Sequence, residues 1–296
     1  LMKYDPLAIP TEDYSAASFG FETCDGGVCA ANGIRAAGIY AGFRRNPLRR
    51  DLALVCADKT CVCAATFTKN RFCAAPVRVS RVNAASGVAR AVLLNSGNAN
   101  AATGDQGIAV ARKSAALMAK ELGCEEDEVL VASTGVIGVP LGIDPFAKGV
   151  SQLAAELEHS AEASRHAATA VMTTDTHPKE FALKGEVTLT DGTSSVVHVG
   201  GFVKGSGMIQ PNMATMLAVI TTDAPLSSES AHCALLTAVQ STFNKVTVDS
   251  DTSTNDSCFL LATGCAATDK IEVNSAAFLA VSAAIQTVCE VLARDI

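Results

Sequence analysis

Apolar residues recur at helical spacing in five parts of the chain, between loops that carry glycine, proline or short polar residues. These stretches begin near Thr103, Asp144, Ala161, Ser227 and Phe278. The first starts with Thr103 and Gln106 at capping-box spacing and ends at Gly123. In the second, Asp144 is a predicted cap with Pro145 at the first helical position. The pattern therefore predicts five helices.

Other stretches combine β-branched and apolar residues over shorter lengths, which is typical of buried strands. They span residues 51–65, expected to form a strand pair, and residues 91–95, 129–133, 215–221 and 245–249. Residues 181–199 alternate around Asp191-Gly192, which predicts a β-hairpin. Strands and helices mix without strict alternation. The sequence therefore predicts an α+β domain, a layered sandwich of stacked β-sheets flanked by helices.

Charge and composition narrow the class of ligand. The chain has 296 residues, of which 49% are hydrophobic and 18% charged, and its net charge is −7. A negative surface disfavours nucleic acid and acidic membranes as partners. The most apolar long stretch, residues 276–293, contains polar residues and Glu290, so no membrane span is predicted. We expect a small ligand.

Eleven cysteines form an odd set without a Cys-x-x-Cys pair, which favours free thiols in a reducing cytosol and hence a cytoplasmic location. Cys56, Cys61 and Cys63 lie close together, but no histidine is near them in sequence and their spacing fits no common zinc site. The acidic loop 249–256 lacks the glycine and the glutamate that a calcium loop needs. The sequence therefore predicts no metal and no cofactor.

Two loops at strand ends carry candidate chemistry. The strand 91–95 runs into the turn Asn95–Asn100, whose asparagines can either contact a ligand or satisfy the backbone of the turn itself. The strand 129–133 ends at Thr134 and Gly135, where a glycine leaves a backbone N–H free to face a ligand. Oxyanion holes are commonly built from such donors.

A third segment, residues 204–223, is glycine-rich in its first half and strand-like from Thr215 onward. Thr215 becomes a strong nucleophile if the Ala214–Thr215 bond is cut, because its freed α-amine can accept the hydroxyl proton. Without cleavage it is an ordinary strand threonine. Gly205 and Gly207 begin like a dinucleotide-binding motif, but a strand follows where that motif needs a helix.

Five segments carry a resemblance to a known family: residues 95–100, 131–138, 172–180, 204–223 and 248–256. In this order they resemble the glutamate N-acetyltransferase family, whose members are also called ornithine acetyltransferases. The similarity extends from about Gly26 to Ile296. In that family an alanine–threonine bond is cut and the threonine then carries the acetyl group. The resemblance therefore implies a self-processing acyltransferase with an N-terminal-nucleophile-like fold.

The family's site residues correspond to positions of this chain. The resemblance implies Thr215 as nucleophile, Ala214–Thr215 as the cleavage site, Thr134 and Gly135 as the oxyanion hole, and Lys204, Thr173, Thr174 and Thr215 as substrate-binding residues. A lysine suits a substrate carboxylate. Each fixed oxyanion donor contributes about 3 to 4 kcal/mol to such a reaction.

The implied reaction transfers acetyl from N-acetyl-L-ornithine to L-glutamate through an acetyl-threonine intermediate, a step of arginine synthesis. Some members of the family also accept acetyl-coenzyme A as donor, and the sequence does not decide this point. Cleavage implies mature chains 1–214 and 215–296, and the resemblance implies a heterotetramer with two copies of each.

Residues 1–21 are rich in turns, and we expect an N-terminal extension there, followed by the acetyltransferase domain at 22–296. In the family further residues follow, including a glutamate that binds substrate, so we expect this domain to be incomplete at its C-terminal end. The helix predicted from Phe278 also stops without a cap or a glycine. Residues 1–296 alone are then expected to be poorly soluble or nearly inactive.

Two alternatives stay open. Related self-cleaving aminopeptidases and amidases hydrolyse their substrates, so release of product without glutamate would favour that class. The other alternative is an inactive binding protein, which an uncut Thr215 would favour.

Overall fold

The structure is a computed structural model that describes residues 14–208, 216–249 and 251–296. Within these residues the strands are β1 (Glu22–Thr23), β2 (Ile34–Ile39), β3 (Leu52–Phe67), β4 (Val88–Asn98), β5 (Val129–Val136), β6 (Lys179–Thr188), β7 (Ser194–Lys204), β8 (Leu217–Thr222) and β9 (Ser257–Ala262). The helices are α1 (Ala75–Asn83), α2 (Gly104–Leu122), α3 (Asp144–Ala155), α4 (Ala161–Val171), α5 (Ser228–Ser241) and α6 (Ala276–Arg294).

The nine strands of the described residues form one mixed sheet. Its hydrogen-bonded order is β1-β6-β7-β8-β9-β3-β4-β5, and β2 also pairs with β3. Neighbouring strands are antiparallel except for the pairs β4–β5 and β8–β9. The first part of β3 pairs with β2 and β4, and residues Val62–Phe67 pair with β9. Because its two ends pair with different strands, this one long strand connects two halves of the sheet, and its register with β4 shifts between Cys56 and Cys61.

The two halves of the sheet face each other across an inner apolar core. Along β8 and β9 every residue is buried, because both faces of these strands are covered. Val219 and Phe259 lie in the inner core, whereas Ile220 and Leu260 at alternate positions lie in an outer core beneath helices. Val55 of β3 reaches the inner core from the other half. The strands therefore form two stacked layers.

Helices cover both outer faces of these layers. α5 and α6 pack on the half that contains β6–β9. α2 and α3 pack on β2–β5 through buried residues such as Met118 and Leu153. α6 is long and apolar enough to cross a membrane, but 67% of its most apolar window is buried inside the fold, as in a core helix. The layer order is thus helices, sheet, sheet, helices.

The predicted α+β layered class is confirmed, and helices occur at all five predicted places. Helix α1 was not predicted. Residues 52–65, where a strand pair was predicted from Asp51 onward, belong to the single strand β3. The strand predicted at 245–249 is wrong: Thr247 and Val248 are exposed, so their β-branched side chains have no neighbouring described strand to pack on.

Two predicted helix caps are also wrong. Thr103 precedes α2, but its hydroxyl donates to Oδ1 of Asn100 over 2.8 Å and caps no helix N–H. Asp144 lies inside α3, which Ile143 precedes. At Thr103 a nearby polar partner, the side chain of Asn100, outweighs the local sequence pattern.

The described part of the predicted N-terminal extension packs on the domain. Tyr14 donates its hydroxyl to the carbonyl of Leu279 in α6 over 3.1 Å. Ala16 and Phe21 are buried in the outer core. Residues 14–21 therefore contribute to the same apolar core as α6.

We expect Phe259→Ala to lower the free energy of unfolding by about 3 to 5 kcal/mol, because it empties part of the inner core. The Phe259 ring is fully buried and meets Phe67 edge-on, with 5.9 Å between the ring centroids. Urea unfolding followed by circular dichroism measures the change. Phe72→Ala is the control, since that ring is 62% exposed, and it should cost less than about 1 kcal/mol. Equal losses would contradict the placement of the inner core.

Candidate active site

The candidate site lies where the two halves of the sheet meet at one end. β5 of one half ends just after Thr134, and β7 of the other half ends at Lys204. The Lys204 ammonium donates to the hydroxyl oxygen of Thr134 over 3.2 Å. The fold thus brings together two predicted site residues that are far apart in sequence.

Lys204 is a buried cation, with 3% of its surface exposed. Burial lowers the pKa of its ammonium, and the carboxylates of Asp175 and Asp256 oppose that change. Lys179 and Arg44, which are also cations, lower the pKa further. Because a buried ammonium is stable only near compensating groups, both aspartates belong to the site.

Asp175 ties the segment after α4 to the end of β7. Its Oδ1 accepts from Lys179 Nζ at 2.7 Å and from the Gly205 N–H at 2.8 Å. Its Oδ2 accepts from the N–H of Thr173 at 3.0 Å. Burial alone raises the pKa of Asp175, but these hydrogen bonds outweigh burial and leave the pKa lowered. The carboxylate therefore stays charged and fixes Thr173 near Lys204.

Thr173 and Thr174, the predicted substrate-binding threonines, lie in this segment, and Thr174 is exposed. Two arginines to which no sequence pattern gave a role also reach it. Arg44 donates to the carbonyl of Met172, and Arg49 donates to the carbonyl of Thr173 over 3.2 Å. Burial lowers the pKa of Arg44. These guanidinium groups add positive charge beside the predicted substrate residues.

The turn Asn95–Asn100 packs beside the end of β5. Ser133 Oγ donates to Asn95 Oδ1 at 2.6 Å, and Asn95 Nδ2 donates to the carbonyl of Asn98 at 3.0 Å. The side chain of Asn95 thus satisfies the turn itself, which was the structural alternative for this motif.

Gly135 is held against this turn in a conformation that favours glycine. Its φ is +134°, and a Cβ at this position would collide with the backbone of Gly97. Gly135 is exposed at the end of β5, while Thr134 is buried. The two predicted oxyanion residues therefore lie at the boundary between the core and the surface.

Asp256, which immediately precedes β9, is the second aspartate of the site. It is fully buried, and its Oδ1 accepts the backbone N–H of Met216 at 3.0 Å. Burial raises the pKa of Asp256 well above its usual value. The residue lies in a segment that resembles the family, but the sequence alone gave it no role. Only the folded arrangement shows that it contacts the residue after Thr215.

The predicted nucleophile Thr215 and its neighbour Ala214 lie outside the described residues. Met216 is buried and immediately precedes β8. Chain connectivity therefore joins the predicted cleavage site to the strand end that Asp256 holds. The role of Thr215 stays a prediction.

Residues 35–296 match the model of the ArgJ family. The chain belongs to the ArgJ family. The chloroplastic arginine biosynthesis bifunctional protein ArgJ of Ostreococcus lucimarinus is 43% identical over 278 residues, which make up 93% of this chain and 59% of that protein. The chain spans between 55% and 66% of the length of the first curated ArgJ relatives it matches.

Solved structures agree with this assignment. An ornithine acetyltransferase of Mycobacterium tuberculosis, solved in complex with ornithine, is 37% identical with a TM-score of 0.58, over 64% of this chain and 98% of that chain. An aminopeptidase and esterase/amidase of Ochrobactrum anthropi, described as a variant of the Ntn hydrolase fold, is 11% identical with a TM-score of 0.53, over 95% of this chain and 90% of that chain. The N-terminal-nucleophile-like architecture predicted for this ArgJ chain is therefore confirmed.

We expect Gly135→Ala to destabilise the fold by about 2 to 4 kcal/mol, because it combines an unfavourable positive φ with a clash against the Gly97 backbone. Gly138→Ala is the matched control: Gly138 also has a positive φ, of +81°, but a Cβ there meets no atom within 4 Å. Its cost should be about 1 kcal/mol. Thermal melts of both variants measure the difference. Similar melting temperatures would contradict the close packing of Gly135 on the turn.

Proposed function

We propose that the full-length protein is a glutamate N-acetyltransferase that moves the acetyl group of N-acetyl-L-ornithine to L-glutamate through Thr215. The observation that carries this proposal is the contact of Lys204 with Thr134 at the sheet end beside Met216. Membership of the ArgJ family, named for arginine biosynthesis in its relatives, supports the pathway. The ornithine bound to the Mycobacterium relative supports the substrate class.

In the first half-reaction the hydroxyl of Thr215 attacks the acetyl carbonyl, and its proton passes to the α-amine that cleavage creates. The carbonyl oxygen becomes an oxyanion, which we assign to the Thr134 hydroxyl and the Gly135 N–H. Collapse of this tetrahedral intermediate breaks the bond between the acetyl carbon and the ornithine nitrogen. The departing ornithine amine takes the proton from the α-amine of Thr215. Glutamate then attacks the acetyl-threonine through its own amine and restores Thr215.

Lys204 orients the Thr134 hydroxyl in this scheme. Its ammonium donates to the Thr134 oxygen, so the hydroxyl hydrogen is free to point toward the oxyanion. Because Lys204 is buried, its charge acts with little solvent screening where negative charge develops. A contact of the same cation with a substrate carboxylate, beside Thr173 and Thr174, completes the proposed binding site.

Cleavage of Ala214–Thr215 would produce chains 1–214 and 215–296. Two solved ArgJ-type chains support this division, because about two thirds of the present chain accounts for 98% or 99% of each. The first curated relatives, in contrast, are longer than this chain. We propose a heterotetramer with two copies of each product. A cytoplasmic location is part of the same proposal, although several relatives are named chloroplastic.

Acetyl-coenzyme A is the second donor that we propose to test. The curated relatives from Ostreococcus and Thermosynechococcus are both named bifunctional. Hydrolysis gains no comparable support, because the likeness to the Ochrobactrum enzyme, at 11% identity, concerns the fold alone.

We expect the full-length gene product to appear as two chains on denaturing gels, with Thr215 at the new N-terminus. Cleavage follows from attack of the Thr215 hydroxyl on the preceding carbonyl, so Thr215→Ala should give one uncut chain. Intact mass and N-terminal sequencing measure both. Thr222→Ala, at the far end of the strand β8 that follows, is the control and should still be cut. An uncut wild-type chain with the mass of the Thr215→Ala variant would exclude this maturation.

We expect N-acetylornithine alone to add one acetyl group to the chain that begins at Thr215, and glutamate to remove it. A ping-pong reaction requires this order, because the acetyl-enzyme forms before the second substrate binds. Mass spectrometry of the separated chains detects the modification, and acetyl-coenzyme A can replace the donor in a parallel sample. Transfer that needs both substrates at once would rule out the acetyl-threonine intermediate. Free acetate without glutamate would instead indicate a hydrolase.

A further inference from the structure

Asp256 has a carboxyl oxygen without an assigned partner. The residue is 0% exposed, and its Oδ1 accepts the Met216 N–H. Its Oδ2 has no hydrogen-bond partner among the described residues. Buried polar atoms in folded proteins are nearly always paired. We therefore expect Oδ2 to pair with a group outside the described residues or with a group that a later chemical step creates.

Asp223, at the opposite end of β8, is also 0% exposed but has both oxygens satisfied. Its Oδ1 accepts the N–H of His198 at 2.7 Å. Its Oδ2 accepts from Asn32 Nδ2 at 2.7 Å and lies 2.8 Å from Nδ1 of His198. β8 thus has a buried carboxyl group at each end. Of these two groups, only that of Asp256 has an oxygen without a hydrogen-bond partner among the described residues.

The charged groups around Asp256 compensate its negative charge only in part. Lys204 acts on it directly, while Asp175, Lys179 and Arg44 act on Lys204. Burial still raises the pKa of Asp256 well above its usual value, although the hydroxyl of Ser253, the hydrogen bond from Met216 and the charge of Lys204 all lower it. A carboxylate in this situation is stabilised by a further cation or N–H donor.

Covalent geometry identifies a suitable donor. The Met216 nitrogen is bonded to the carbonyl carbon of the preceding residue. An α-amine on that residue therefore lies within about 3.7 Å of the Met216 nitrogen whatever the torsion angle between them. One carboxylate can bridge the Met216 N–H and such an amine.

We propose that Asp256 is a positioning residue for the α-amine created by cleavage before Thr215: Oδ1 keeps the Met216 N–H, and Oδ2 accepts a hydrogen bond from the amine. This inference rests on the proposed function, since the amine exists only after the chain is cut. The carboxylate directs the amine toward the hydroxyl proton of Thr215. It also favours the ammonium form, so it raises the pH at which the amine becomes a base.

The test compares Asp256→Asn with Asp223→Asn in the full-length gene product. Each variant replaces a fully buried carboxyl group at one end of β8 with a neutral amide of the same shape. Mass spectrometry follows the rate of acetyl loading from N-acetylornithine across the range where α-amines titrate, about pH 6 to 10.

Because loading needs the neutral amine, loss of the carboxylate should move the acid limb of the profile to lower pH. We expect a shift of about one unit or more in Asp256→Asn and none in Asp223→Asn. The KM for N-acetylornithine should change by less than about two-fold, since Asp256 is not proposed to touch the substrate.

Melting curves establish that the variants fold, and Asp256→Ser serves as a second neutral variant whose acid limb should move in the same direction. An acid limb that coincides with that of the wild type, or an equal shift in Asp223→Asn, overturns the inference and leaves the proposed function intact. A folded Asp256→Asn chain that stays uncut would place the role of Asp256 before the amine exists and also overturns it. A wild-type gene product that stays uncut overturns the proposed function and this inference together.

Discussion

The burial of the Lys204 ammonium is the constraint on which the rest of the site depends. Removing such a cation from water costs several kcal/mol unless carboxylates and hydrogen-bond acceptors surround it. Asp175, Asp256 and the hydroxyl of Thr134 supply these groups from three separate parts of the chain. They meet only when the two halves of the sheet have closed on each other. The site is therefore a product of the layered fold rather than of any one loop.

The same layering explains why the polar chemistry lies at strand ends. β8 and β9 are buried on both faces, so their middle positions must be apolar. The polar side chains of the site lie at or near the places where a strand stops, as at Thr134, Lys204 and Asp256. At these ends the backbone groups and side chains satisfy each other, and the two halves of the sheet are joined by hydrogen bonds as well as by the inner apolar core.

Periodicity and composition were sufficient to predict the helices around the sheet and the layered class, because a buried stripe imposes its spacing on the sequence. They failed at residues 245–249, where β-branched residues lack a strand to pair with, and at Thr103, whose hydroxyl has a closer partner in Asn100. The first failure depends on long-range packing, which a local pattern does not contain. The second depends on competition between local partners for one hydroxyl.

The candidate site divides in the same way. Thr134, Gly135 and Lys204 could be selected because each lies in a segment that resembles the family, and in the structure the Lys204 ammonium contacts the Thr134 hydroxyl. Asp175 and Asp256 lie in two of the segments that resemble the family, but the sequence gave them no role, since a carboxylate near an alcohol or an amide in sequence is common. Their importance depends on burial and on long-range charge, which one-dimensional spacing does not contain. The same holds for Arg44, which is half-buried and reaches the carbonyl of Met172, far away in sequence.

The proposed cleavage before Thr215 is compatible with a stable protein because of where β8 lies in the sheet. All six residues of β8 pair with β7 on one side and with β9 on the other. β9 in turn pairs with β3, which belongs to the first part of the chain. Two ladders of hydrogen bonds and the outer core beneath α6 would therefore hold residues 216–296 in place after the peptide bond is broken. The Ala214–Thr215 peptide bond can therefore be broken without loss of the contacts that hold β8 in the sheet.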